Sequence, residues 1–301
     1  QIAGVAGWRL LFIVGILPAL LVVLVMRRLR EPDSWLKARD AARDAAARDA
    51  ARDAAARGPS APAARQAMGS IGELFGDPRW RRNAIVGIVL ATAGVMGLWG
   101  VGFWSPELVR NQVLGGQPKD VQDWYASMAF LIQQMGAFLG IFAFSILTGI
   151  IGRRPTFVLS LLLGLATVIG VFGFMTQPSQ IWWMCPLLGF STLMVFGGYS
   201  IYFPELFPTR LRATGVGFCY NVARYVAAAA PFALGLLATA YAAPPGSGRA
   251  AQGLSELTLL GSLGSVDNPF RYACITVACI YVIGLFVLPF APETKDKPLP
   301  E

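Results

Sequence analysis

Residues 155–204 contain no Asp, Glu, Lys or Arg. A helix needs only about 20 consecutive apolar residues to cross a bilayer, so this stretch alone holds two crossings. The pattern repeats along the chain. Seven runs are long enough to span, near 7–27, 83–106, 124–148, 156–176, 181–203, 212–240 and 271–291. Only 14% of the residues are charged, against about 25% in an ordinary soluble domain. In hydrocarbon every main-chain polar group must be satisfied inside the protein, and the runs lack strand-like alternation, so they read as helices. The expected fold is an all-α integral membrane protein with seven transmembrane helices. Gly87, Gly94, Gly97, Gly100 and Gly102 in the second run, and GAFLG (136–140) in the third, leave room for close helix contact.

The net charge of +8 would suggest nucleic acid in a soluble protein. Here the cations gather at the ends of the apolar runs, which makes them a topology signal. The expected partner is therefore the lipid bilayer, and not nucleic acid. With residues 28–80 placed inside, that side carries 19 of the 25 Lys and Arg residues. The other side has five (Arg9, Arg110, Lys119, Arg249 and Arg271), and Arg224 lies between. This excess predicts that 28–80 and the C-terminus are cytoplasmic, in a plasma membrane of the bacterial inner-membrane kind. The chain enters its first apolar run from Gln1 with no charged region or cleavage site before it, which is unlike a signal peptide. That run then crosses from outside to inside. Several helices are expected upstream, and the chain reads as a fragment.

The segment between the first two runs differs in kind. RDAARDAAA occurs at 39–47 and again at 48–56. Alanine, arginine and the Asp44–Arg48 and Asp53–Arg57 spacings favour helix. A nine-residue repeat places charge on all sides, so the segment reads as a solvated helix or linker with no apolar face for a membrane. GPSAPAAR (58–65) ends any helix there. Four cysteines, Cys185, Cys219, Cys274 and Cys279, fall inside apolar runs without metal-ligand spacing, and the chain has no histidine. They read as small buried hydrophobes, and no metal or other cofactor is expected.

Four stretches carry a family resemblance. TGIIGRRPTF (148–157) joins the third and fourth runs, and YFPELFPTRLRATG (202–215) joins the fifth and sixth. PETKDKPLP (292–300) follows the last run, and GWRLLFIVGILPALLVVLVMRRLREPDSW (7–35) holds the first run and its exit. Together they resemble the major facilitator superfamily, in its sugar-porter and metabolite–proton symporter branches. The resemblance implies twelve helices in two six-helix halves, with substrate near the midplane between them. The chain would then hold the sixth helix (1–27), a central cytoplasmic loop (28–80), the C-terminal six-helix domain (81–291) and a cytoplasmic tail (292–301). Its expected partners are a small-molecule substrate and the missing N-terminal half of the same protein. The loop motif departs from the family pattern. Gly149 and Ile150 stand where an acidic residue and an arginine are usual, whereas Arg153 and Arg154 remain. The sugar-porter glutamine pair of the seventh helix is also absent, and Gln133–Gln134 lies one helix later.

CYNVARY (219–225) places Arg224 about a dozen residues inside the sixth run. A charge at that depth costs about 2.5–3.5 kcal/mol on insertion scales unless it faces a wet cavity or a partner. Arg224 could grip an anionic substrate group, pair with a coupling carboxylate, or bond helix carbonyls as a structural arginine. Asn221, three residues away, shares its helical face. Gln133 and Gln134 are adjacent and cannot face the same way, so one is expected at the cavity and the other against a neighbouring helix. Trp99 could stack on substrate. Tyr199 could line the pathway or pack. Trp104 reads as an interface-belt residue, and Glu107 with Arg110 as a surface pair. The motif resemblance further implies a cytoplasmic gate in which Glu205, Arg210 and Arg212 meet Arg153 or Arg154.

The expected function is secondary active transport of a small polar metabolite, an organic anion, by proton-coupled symport and alternating access. Protons would be the coupling ion. A facilitative sugar transporter of the same fold is the alternative. A membrane sensor or membrane-embedded enzyme is disfavoured by the lack of any catalytic constellation, so the chain is read as a non-enzyme.

Overall fold

A computed structural model of the chain describes residues 12, 14–28, 33, 35–37, 39–41, 43–44, 47–48, 69–242 and 268–300. Its contacts divide it into two units, Gln1–Ala67 and Met68–Glu301. In the first unit, helix α1 (Leu17–Arg28) closes on Arg27 and Arg28 and leaves Val22, Val23 and Met26 exposed. Residues 7–11 and 13 of the expected first run, and most of the Arg-Asp-Ala repeat, lie outside the described residues.

The second unit is helical among its described residues. It opens on a short helix, α2 (Ile71–Gly76), whose first turn is capped by the Ser70 Oγ accepting from the Glu73 N–H at 3.3 Å. Six spans follow that are long and apolar enough to cross a membrane: Pro78–Val113, Lys119–Ile151, Arg153–Phe174, Pro178–Leu206, Thr209–Tyr241 and Pro269–Phe290. They answer to the second through seventh runs of the sequence and keep those numbers below. Each outruns its apolar stretch at one end or both, and two of them start from a polar cap, Asp77 for the second span and Asn268 for the seventh. Asp77, for example, accepts from the Arg79 N–H at 2.8 Å with Pro78 in the first helical turn, a fitting start for a helix.

Three spans are single helices over their apolar length and three are broken. The third is α5 (Lys119–Ile151), the fourth α6 (Arg153–Phe174) and the fifth α7 (Ile181–Leu206). The second runs as α3 (Pro78–Met96), a π turn (Gly97–Val101), a 3-10 turn (Gly102–Trp104), α4 (Ser105–Leu108) and a second π turn (Val109–Val113). The sixth is α8 (Thr209–Ala227) and α9 (Ala230–Tyr241). The seventh is α10 (Pro269–Ala278) and α11 (Ile280–Val287), closed by a 3-10 turn (Leu288–Phe290). Gly152, at φ +96°, turns the chain from α5 into α6, a conformation that costs any other residue its Cβ clearance.

Between lipid and protein there is little hydrophobic gain to drive helix association, so close packing must hold the spans together. The third and fifth spans show it best. A Cβ added at Gly136 would lie 1.9 Å from the Pro186 carbonyl oxygen, and one at Gly140 would lie 2.0 Å from that of Phe190. At Gly189 it would lie 1.8 Å from the Gln133 oxygen. The two main chains touch. An aromatic seam continues the contact, with Phe144 and Phe157 at 4.9 Å, Phe157 and Tyr202 at 5.4 Å, and Tyr199 stacked on Phe203 at 4.9 Å. Cys185, Cys219 and Cys274 are buried as expected, but Cys279 is exposed. It sits at the junction of α10 and α11 in the seventh span.

Candidate functional site

A cavity of about 370 Å³ lies between the second and sixth spans, lined by Val95, Trp99, Phe103, Trp104, Arg224, Ala227, Ala228 and Pro231. Its shape follows from the two broken helices. The π turn carries Trp99 to one wall, and the Ala228–Ala229 break opens the other. Trp99 and Phe103 lean together at 5.1 Å, and Phe130 meets Phe103 edge-on at 5.8 Å. Arg224 stands on the last turn of α8 with its guanidinium 5.7 Å from the Tyr220 ring centre. Among the described residues it has no carboxylate within ion-pair distance. The Trp104 Nε1–H is buried and has no acceptor. The cavity therefore offers a cation and aromatic faces, with an unspent N–H on one of its lining residues.

The sequence expectations divide here. Trp99 and Arg224 are brought together. Asn221 is exposed, donates its Nδ2 to the Gly217 carbonyl at 2.8 Å, and does not line the cavity. Of the glutamine pair, Gln133 is buried and fully engaged. Its Oε1 accepts from Ser105 and its Nε2 donates to the Gly102 carbonyl at 3.1 Å. It braces the irregular turn of the second span and is not at the cavity. Gln134 is exposed. Tyr199 is buried and donates to the Leu90 carbonyl at 2.8 Å, a bond between the fifth and second spans. Trp104, read as a belt residue, lines the cavity instead. Glu107 accepts from Asn111 at 2.5 Å, while Arg110 pairs with Asp123 at 2.8 Å. Asn111 is four residues on from Glu107, an ordinary helical neighbour spacing, and Arg110 is drawn to the next span.

A second polar centre closes the opposite end of the unit. Arg153 grips Glu205 bidentately, Nη2 to Oε1 at 2.7 Å and Nε to Oε2 at 3.1 Å, and its Nη1 donates to the Thr148 carbonyl at 3.0 Å. The Thr294 hydroxyl adds a bond to Glu205 at 2.6 Å. Glu293 accepts from the main-chain N–H groups of Arg153 and Arg154, both at 2.9 Å, and from those of Thr294 and Lys295. It thereby caps the start of α6, where free N–H groups favour an anion. Burial pushes the Glu293 carboxyl up, but these four N–H donors outweigh it and hold it below the usual carboxylate range. Arg154 donates to the carbonyls of Ala291 and Pro289. Arg212 donates to that of Pro204 at 3.0 Å.

Of the five expected gate residues, then, Arg153 and Glu205 meet directly. Arg154 and Arg212 reach main chain nearby. Arg210 turns to Glu73 of α2 at 2.8 Å, because α2 lies against the end of the sixth span, with Phe75 edge-on to Phe218 at 5.2 Å. Glu293 and Thr294 also join this cluster and were not among the expected residues, although PETKDKPLP set an acid beside a hydroxyl just past the last span. Among the described residues no cluster of His, Cys, Asp or Glu could hold a metal.

The family model of the Major Facilitator Superfamily matches residues 1–231. A cis,cis-muconate transport protein of Acinetobacter baylyi is 29% identical over 77% of the chain and 51% of its own length. A Haemophilus influenzae protein named for metabolite transport is 26% identical over 97% of the chain and 60% of its length. A Cupriavidus pinatubonensis protein named for 4-methylmuconolactone transport is 27% identical over 77% of the chain and 47% of its length. The chain thus spans about half the length of the curated relatives it matches.

Proposed function

The chain belongs to the Major Facilitator Superfamily, and on that footing we propose that it forms the C-terminal half of a transporter that moves small unsaturated organic acids by proton-coupled symport. One observation carries this reading. Arg224, without an anionic partner among the described residues, faces a cavity walled by Trp99, Phe103 and Trp104. A guanidinium takes a carboxylate with two parallel bonds, and the aromatic walls suit a flat, conjugated body. Relatives named for muconate and methylmuconolactone transport fit the same chemistry. A sugar would need acceptors as well as donors, and among the described residues no acidic or amide side chain lines this cavity. With no carboxylate among the described lining residues, this reading gives the coupling acid to the other half. In this reading the two halves rock around the bound acid.

The test is uptake by the intact protein in proteoliposomes. Saturable uptake of cis,cis-muconate, faster with an inside-alkaline pH gradient and uncompeted by hexoses, is the expected result. Hexose uptake, or indifference to all carboxylates, would overturn the reading.

The Arg153–Glu205 clasp is the proposed cytoplasmic gate, closed in this conformation. Both side chains are largely withdrawn from solvent (16% and 19% exposed). Losing a charged hydrogen bond costs about 1.5–3 kcal/mol. Glu205→Gln should therefore move the balance toward the inward-open form by roughly 10–150-fold, by the arithmetic of population shift. Faster thiol labelling of a cysteine placed at Thr209 would show it. An unchanged labelling rate would argue that the clasp is only an anchor.

A further inference from the structure

The breaks in the second, sixth and seventh spans lie at one level. Gly100, inside the first π turn, is the meeting point. A Cβ there would lie 2.9 Å from the Ala230 Cβ, just past the break in the sixth span, and 3.2 Å from the Val277 Cγ1, just before the break in the seventh. Gly97 opens the same π turn and presses on Tyr281, just past the seventh-span break. A Cβ there would lie 2.1 Å from the Tyr281 hydroxyl. The third, fourth and fifth spans have no break in their helices between residues 119 and 151, 153 and 174, or 181 and 206. Helix discontinuities of this kind are where φ/ψ change is absorbed at little cost.

Tyr281 supplies the second observation. It is fully buried, yet its hydroxyl has no hydrogen-bond partner. Tyr199 approaches the same face of the second span one turn away, where a Cβ on Gly94 would lie 2.0 Å from its hydroxyl. That hydroxyl is satisfied by the Leu90 carbonyl. A buried, unbonded hydroxyl is costly to keep and calls for an explanation. The wall of the Arg224 cavity passes through the same level, at Trp99, Ala228 and Pro231.

We infer that the three breaks form one hinge layer and that the Tyr281 hydroxyl is its latch. In this conformation the latch is open. When the second span bends at Gly97–Val101, a main-chain carbonyl of that turn reaches the hydroxyl and the bond holds the bent form. The two forms then differ by one buried hydrogen bond, and a ligand touching Trp99 and Ala228 can bias between them. This role is one of positioning, since Tyr281 does not line the cavity. The mechanical part stands whether or not the cargo is an organic acid.

The experiment reads the hinge without any substrate. Spin labels at Arg81 and Asn111, the two ends of the second span, report its bend in the intact protein in lipid nanodiscs. Two distance populations are expected, and Tyr281→Phe should collapse them to one while leaving the melting temperature equal or higher. Gly100→Val should also leave one population, by wedging the layer. A single population in the unsubstituted protein would overturn the hinge. Two populations unchanged by Tyr281→Phe would overturn the latch. So would a lower melting temperature for that variant, which would mean that the hydroxyl is already bonded in the resting form. Failure of muconate uptake in the separate transport assay would bear on the cargo and leave these distances to be judged alone.

Discussion

Arg224→Gln in the intact protein is expected to abolish saturable carboxylate uptake, and Arg224→Lys to lower kcat/KM by at least about tenfold. A charged hydrogen bond is worth about 1.5–3 kcal/mol, and the fork offers two where an ammonium offers a point charge. Because Arg224 has no anionic partner among the described residues, removing its charge should leave the melting temperature unchanged or raised, which separates a binding loss from a folding loss. Arg110→Lys is the control. Arg110 pairs with Asp123 where both side chains are well exposed, at 36% and 50%, and such pairs are worth at most about 1 kcal/mol. Its uptake should match the unsubstituted protein. Equal impairment of the two variants would sink the anion grip at Arg224.

Much of this arrangement could be read from the residue pattern, for a plain reason. An apolar run of span length has one outcome in a bilayer, so the second to seventh runs reappear as six helical spans shifted by a few residues at their ends. The glycines at 136 and 140 also spoke directly, since a missing side chain in a span leaves room for a neighbour. The side-chain assignments were harder. Asn221 and Arg224 share a face by spacing, but a side chain as short as asparagine can be satisfied on its own helix, and it bonds Gly217. Gln133 and Tyr199 are polar residues in apolar runs, a pattern that fits a binding site and a structural brace equally well. Only their partners distinguish the two. The π turns, the Ala228–Ala229 break and the Cys279 break leave no mark on hydropathy, because a broken helix buries the same side chains as a straight one. For that reason Trp104 could not be placed at the cavity in advance.

The contact between the third and fifth spans makes the sharpest demand on single atoms. Gly189→Val is expected to prevent stable assembly of the protein in the membrane. Its Cβ would fall 1.8 Å from the main-chain oxygen of Gln133, and a main-chain atom inside a helix cannot swing aside as a side chain can. The helices would have to part. That would loosen Gly136 on Pro186 and Gly140 on Phe190 and draw Gln133 away from Ser105 and Gly102. Overpacking of a well-filled core alone costs about 1–3 kcal/mol, and here a row of close approaches is lost together. Gly189→Ala should already destabilise clearly, because the clash begins at the first carbon. Gly149 and Gly170 have open space around them. Alanine there should be neutral or mildly stabilising, since glycine is worse than alanine inside a helix by about 1 kcal/mol. Detergent-solubilised melting curves of the four variants provide the check. If Gly189→Val melts with the Gly149→Ala and Gly170→Ala proteins, the third and fifth spans do not meet through their main chains.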